Sequence, residues 1–117
     1  MRAWSQRDEE DPALRDDYEG LLAVAARRDA NPLESIARIG TTRDAVSAFL
    51  LWFASHCHRQ LLAAKEGAAA ERFELMLREL TKARRALDGN AHPQLLLESV
   101  MIAWHRMHHA RLPAFVA

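Results

Sequence analysis

The chain has 117 residues, half of them hydrophobic, and its sixteen basic residues are balanced by sixteen acidic ones. That length supports a single domain, residues 1–117, with a real but small core. A net charge of zero argues against a dedicated nucleic-acid or membrane-surface module.

Strand signals are nearly absent: no sustained alternation occurs, and no hairpin dipeptide separates β-branched runs. Alanine, leucine, arginine and glutamate predominate, which favours helices. The N-terminal MRAWSQRDEEDP has no apolar segment of the kind a secretory signal needs. Residues 1–10 are expected to be loose. A first helix is predicted from Asp11-Pro12, where an acidic cap precedes proline at the first helical position. Leu14, Tyr18, Leu21, Leu22 and Ala25 make its apolar stripe, and Arg27-Arg28 suit its C-terminus.

A second, short helix is predicted from Asn31-Pro32, with Glu34 three residues after an asparagine cap in the manner of a capping box. Leu33, Ile36 and Ile39 should face inward, and Gly40 should stop it. The third begins at Thr41 or Thr42. Val46, Phe49, Leu50, Phe53 and Cys57 trace one face, with Leu61 a turn further on. Leu51 and Trp52 make this helix apolar nearly all round for two turns, as expected of a central helix. Cys57 is the only cysteine, so no intrachain disulfide forms, which fits a reducing cytoplasm.

The fourth helix is predicted over about Ala69 to Leu87, after Gly67, with Phe73, Met76, Leu77, Leu80, Ala83 and Leu87 as its stripe. Glu74 with Arg78, and Arg78 with Lys82, are spaced for contact on one face. Asp88, Gly89 and Asn90 tolerate the left-handed backbone that ends helices. Pro93 opens a fifth helix running to about His109, with Leu95, Leu96, Leu97, Val100 and Trp104 on its apolar face. The tail ARLPAFVA contains Pro113, and residues 112–117 should be loose. Short connections favour antiparallel neighbours, so the expected fold is all-α, a compact bundle of about five antiparallel helices. No apolar run reaches the roughly 18 residues of a membrane span.

The charge is unevenly spread: eight acids meet five arginines over residues 1–29, and seven bases meet four acids over residues 72–111. Solvated helix faces account for this pattern without any anionic partner. Few residues carry chemistry. His56, Cys57 and His58 are adjacent, but neighbours on a helix point about 100° apart and rarely chelate together. His105 with His108 or His109 would share a helix face, yet neither HExxH nor a suitably spaced carboxylate accompanies them. Cys57 lies in phase with Phe49, Leu50 and Phe53, as a small core hydrophobe does. Asp16-Asp17 and Asp8 to Asp11 sit in polar surroundings that give no carboxyl a raised pKa for acid catalysis. There is no Gly-rich phosphate loop. No catalytic residue, metal or cofactor is therefore expected.

The run from Arg72 to Trp104 resembles the C-terminal helical domain of the bacterial DNA polymerase III delta-prime subunit, a clamp-loader component. That family has a helix ending in an Arg/Leu-rich turn, then Asn-x-Asn-Pro, then a leucine-rich segment with an acid. Here ARRAL is followed by Asn90-Ala91-His92-Pro93 and Gln94-Leu95-Leu96-Leu97-Glu98. Asn90, Pro93, Leu95, Leu97 and Glu98 match, and His92 stands where the family often has asparagine. Asn31-Pro32-Leu33-Glu34 and the long apolar third helix fit the domain's order. The related collar of the tau/gamma subunit has a similar corner; the helix containing Trp52 and the Trp104 ending favour delta-prime.

The resemblance implies a collar domain, which joins clamp-loader subunits into a ring that loads the sliding clamp onto primed DNA. An AAA+ module and lid would precede it in the full subunit, so Met1 would mark a shortened chain. Its partners would be the tau/gamma and delta subunits, in the cytoplasm, with no DNA contact or membrane contact of its own. The candidate subunit interface is Arg84, Arg85, Trp104 and Arg106; partly buried tryptophans and arginines are enriched at interfaces. Two other readings stand beside this one. One is a free-standing regulatory or ligand-binding bundle with Trp52, Phe53, Met76 and Trp104 around a pocket. The other is a small metal-dependent enzyme using the histidines.

Overall fold

A computed structural model describes residues 12–109, with side chains from Asp17 onward. The expected loose segments 1–10 and 112–117, and the Asp11 cap, lie outside the described residues. Five α-helices follow in order: α1 (Pro12–Ala25), α2 (Ile36–Ile39), α3 (Arg43–Ala64), α4 (Ala68–Asp88) and α5 (Pro93–His109). A single 3₁₀ turn, Pro32–Ser35, leads into α2. No strand occurs among the described residues. None of their helices is long and apolar enough to cross a membrane. The fold is an all-α bundle, as the helical periodicities predict.

The α3/α4 hairpin is its backbone. Thr42 caps α3 by accepting a hydrogen bond from the Ala45 N–H at 3.1 Å. Gly40, just before it, has φ 101°, and a Cβ there would stand 3.1 Å from the Ala45 Cβ, so glycine alone fits this approach. Val46, Phe49, Leu50, Phe53 and Cys57 are fully buried along one face of α3. Met76, Leu80, Ala83 and Leu87 answer them from α4, while Leu97, Val100, Met101 and Trp104 close the core from α5. The expectation that α3, apolar nearly all round for two turns, is central is corrected in one respect: Leu51 is 55% exposed, as is Leu62 further along at 63%. One side of the helix simply faces solvent.

The corner between α4 and α5 is a Schellman turn. Asn90 takes φ 79°; its N–H bonds to the Leu87 carbonyl at 3.2 Å, and the Ala91 N–H to the Ala86 carbonyl at 2.9 Å. Gly89 was an equal candidate for the left-handed position, but its φ is −92°. His92 then accepts the first helical bond of α5 from the Leu96 N–H at 3.1 Å, with Pro93 in the first turn, where no N–H is required. A cation from the far end of the hairpin locks the corner. The Arg43 guanidinium, in the first turn of α3, donates to the Leu87 carbonyl and, at 3.3 Å, to the Ala91 carbonyl. It adds a second donor to the Leu87 carbonyl, which already accepts from Asn90, and places a cation at the negative pole of the α4 C-terminus.

Two short segments depart from expectation. Asn31 does cap its turn, accepting from the Leu33 N–H at 3.0 Å, but Glu34 contributes its backbone N–H, bonded to the Asn31 carbonyl at 3.1 Å. The segment is part 3₁₀ and part α, and Leu33 is exposed rather than inward. The first helix stops at Ala25, before Arg27-Arg28. Three α5 side chains meet carbonyls at and just past its end: Trp104 Nε1–H donates to Leu22, which also accepts from the Ala26 N–H, at 2.8 Å, His105 Nδ1 bonds Ala25 at 2.9 Å, and His109 Nε2 bonds Ala26 at 2.6 Å. A carbonyl accepts only, so each histidine must carry its proton on the named nitrogen.

Candidate interaction surface

The four side chains singled out as an interface divide sharply. Arg84 and Arg85 project from the last turns of α4 into solvent, and Arg106 is exposed on α5. None of the three has a carboxylate within ion-pair distance among the described residues. Trp104 is corrected. It is only 6% exposed, its indole N–H is bonded to Leu22, and its ring meets Phe53 edge-on at 5.2 Å. It belongs to the core and anchors α1 from within, leaving almost nothing to present to a partner.

The pocket expected among Trp52, Phe53, Met76 and Trp104 is filled by those side chains themselves. Phe53 and Met76 are fully buried, and all four join one continuous apolar cluster. Aromatic contacts knit it: Tyr18 meets Phe49 at 5.1 Å and Trp52 at 5.2 Å, and Phe49 meets Phe53 at 5.4 Å. Such edge-on and tilted pairs are the favoured geometry of packed rings. Trp52 differs from Trp104 in one respect. Its indole N–H is buried without a hydrogen-bond partner among the described residues.

Four of the six histidines make structural contacts. His105 and His109 each commit one ring nitrogen to a carbonyl at or just past the end of α1, and His108 Nδ1 bonds the Trp104 carbonyl one turn back at 2.9 Å. His56 stacks on Trp52 at 4.9 Å with an interplanar angle of 12°. Among the described residues, no three His, Cys, Asp or Glu side chains are grouped to hold a metal ion.

Burial chiefly sets the titration of two of them. For His56, desolvation pushes the pKa down, Glu19 opposes it and Arg59 adds to it. For His108, desolvation again dominates, the Trp104 carbonyl opposes it, and Arg72, His109 and His105 add to it. The unfolded chain takes these protons as pH falls through about 6.5, whereas the folded protein resists them. The contribution is therefore whole above that pH and is lost as pH falls from there toward the lower folded values. The urea midpoint should be lower at pH 5.5 than at pH 7.5, and a His56→Gln/His108→Gln protein should lose less over the same interval. Equal losses in the two proteins would refute the assignment.

Cys57 is fully buried, and burial pushes its thiol up to about 12. The thiolate is the reactive form, so this cysteine is inert while the fold is closed. An aromatic disulfide reagent at pH 8 should find no thiol in the native protein and one per chain in 6 M guanidinium. Full labelling of the native protein within minutes would contradict the placement.

What remains accessible is helix surface. Exposed large hydrophobics are scattered over Val24, Leu33, Leu51, Leu62 and Leu95. Between α4 and α5 a groove of about 190 Å³ opens beside the corner, with Ala83, Ala86, Leu96 and Val100 lining it and Glu79, Lys82 and Ser99 at its edges. Lys82 pairs with Glu79 at 3.0 Å, one turn back, in place of the expected Arg78–Lys82 and Glu74–Arg78 contacts. This groove was not singled out by sequence reasoning. Its only advance signal is the small-residue pair Ala83 and Ala86, facing the α5 stripe. Comparison of the chain with protein-family models, with curated proteins and with solved structures returns no match.

Proposed function

We propose that this chain is an assembly module, the collar domain of a clamp-loader subunit of the delta-prime type in bacterial DNA replication. The observation that supports the reading is the α4/α5 corner. The residues on which the family resemblance rests each have a defined place in it. Asn90 takes the left-handed position, Pro93 opens α5, and Leu97 is fully buried. Glu98 accepts from the Gln94 amide at 3.2 Å on the surface, beside exposed Leu95. The corner sets the angle at which α5 leaves α4, and thereby which helix faces point outward.

On this reading the chain acts by docking against the tau/gamma and delta subunits in the cytoplasm. Its interior is filled by packed side chains, and its work is done on helix surfaces. Arg84, Arg85 and Arg106 remain candidate contacts, and no catalytic step is assigned to this chain. ATP would be bound by other subunits of the ring, and the chain would touch neither DNA nor membrane.

The test is reconstitution from purified components. The chain is mixed with the tau/gamma and delta subunits of a bacterial clamp loader at micromolar concentration and followed by sedimentation velocity. A stoichiometric complex is expected. Independent sedimentation of a folded chain would overturn the assignment.

A further inference from the structure

Two helices end at one place. α1 stops at Ala25 and α5 at His109. His105 and His109, which span the last turn of α5, reach the Ala25 and Ala26 carbonyls. Each helix C-terminus carries the negative pole of its backbone dipoles. Two such poles beside one pair of imidazoles favour a cation there.

The pair is arranged as metal ligands are. Four residues apart on a helix, the two side chains share a face. Their ring centroids are 4.5 Å apart. Two imidazoles bound side by side to one ion, at about 2.1 Å per nitrogen, stand about 5 Å apart by the same measure. His105 donates its Nδ1–H to Ala25, and His109 donates its Nε2–H to Ala26. Those bonds fix the tautomers, so the lone pairs lie on Nε2 of His105 and Nδ1 of His109. A ligating histidine usually gives its other N–H to a carbonyl or carboxylate, which holds the ring and raises its basicity. Both rings here have that support. Both are half-buried, so solvent reaches them. His108 is turned to its own helix, with Nδ1 on the Trp104 carbonyl and its ring 4.2 Å from the indole. Spacing alone gave no reason to expect a metal; the two carbonyls at the end of α1 supply one by orienting the rings.

We infer that His105 and His109 together bind one divalent transition metal of the nickel, copper and zinc group, with water in the remaining positions. Imidazole suits these ions, whereas magnesium and calcium prefer oxygen ligands. Two protein ligands make an open, exchangeable site rather than a closed structural one. Occupancy fixes both rings in the tautomers that donate to α1, and so fastens α1 to α5. The site does not depend on the assembly reading.

The test uses the full chain and zinc chloride. Titration calorimetry should give one zinc per chain, and magnesium chloride should give no binding. In nitrogen-15 spectra of the unaltered protein, Nε2 of His105 and Nδ1 of His109 should shift on zinc addition, while the other nitrogen of each ring keeps its proton. Amide exchange in α1 should slow, because an ion that binds the folded form stabilises it. A His105→Gln/His109→Gln protein, checked by circular dichroism for helical content, should bind at least about tenfold more weakly, since loss of even an outer-shell partner costs roughly 10–100-fold. His58→Gln, at an exposed position on α3, should bind as the unaltered chain does. No binding at millimolar zinc overturns the site. So does zinc binding that leaves those two nitrogens unmoved, or binding that survives the double substitution at full strength. The nitrogen spectra need no variant, so they decide the matter even if the double substitution unfolds the chain.

Discussion

Replacing Trp104 with alanine is expected to remove about 3–5 kcal/mol of stability, a large share of the roughly 5–15 kcal/mol available to a small domain. Two losses combine. The ring fills space between Phe53 and Phe73, with centroids 5.2 and 6.4 Å away, and no neighbour can close that cavity without moving a helix. The indole N–H also ties α1 to α5 through the Leu22 carbonyl at 2.8 Å. Trp104→Phe separates the two effects. It keeps most of the apolar volume and loses the donor, so about 1–2 kcal/mol should disappear. Trp52→Phe is the counter-experiment. It deletes an N–H that already lacks a partner among the described residues, and removing a buried orphan donor offsets the lost ring area. Its cost should stay below about 1 kcal/mol. Urea midpoints at unchanged slope read all three. Amide exchange adds a local check: α1 should lose protection first in both Trp104 variants. Equal costs for Trp52→Phe and Trp104→Phe would sink the account of the two indoles.

The contrast between the two tryptophans shows what could be read in advance. Both fall on apolar helix faces, and periodicity alone treats them alike. The stripes themselves were legible: Val46 to Cys57 on α3 and Met76 to Leu87 on α4 are buried as their spacing predicts. So were the boundaries that depend on local chemistry, such as the Thr42 cap and Pro93. What escaped depends on residues far apart in sequence. The carbonyls around the end of α1 are met by Trp104, His105 and His109, some eighty positions away, with separations of 82, 80 and 83 residues. The corner is clamped by Arg43 across 44 and 48 residues. In the sequence the histidines suggest only a metal reading and Arg43 is not singled out, because nothing local says which distant carbonyl each will meet. The α4/α5 groove escaped for a related reason. A groove is a property of two helices and of the absence of a third.

The run Leu95-Leu96-Leu97 yields the second large effect. Three identical side chains sit about 100° apart on the first turns of α5, so at most one can point at the centre of the core. The corner decides which. With Asn90 left-handed and Pro93 opening the helix, Leu97 becomes fully buried, Leu96 half-buried beside Ala83 and Ala86, and Leu95 62% exposed. Leu97→Ala should therefore cost about 2–5 kcal/mol, because it empties a site held by rigid helices on all sides. Leu95→Ala should change stability by less than about 0.5 kcal/mol, as exposed positions do. Leu96→Ala should fall between them and also deepen the groove. The same three proteins, unfolded in urea, give the ranking directly. A cost for Leu95→Ala that matched or exceeded that of Leu97→Ala would mean α5 is rotated from its described register. The outward face of α5, with Ser99 and Arg106 on it, would then be misassigned as well. Burial of Leu97 and exposure of Leu95 are thus consequences of one rotation, and the Schellman turn at Asn90 is what sets it.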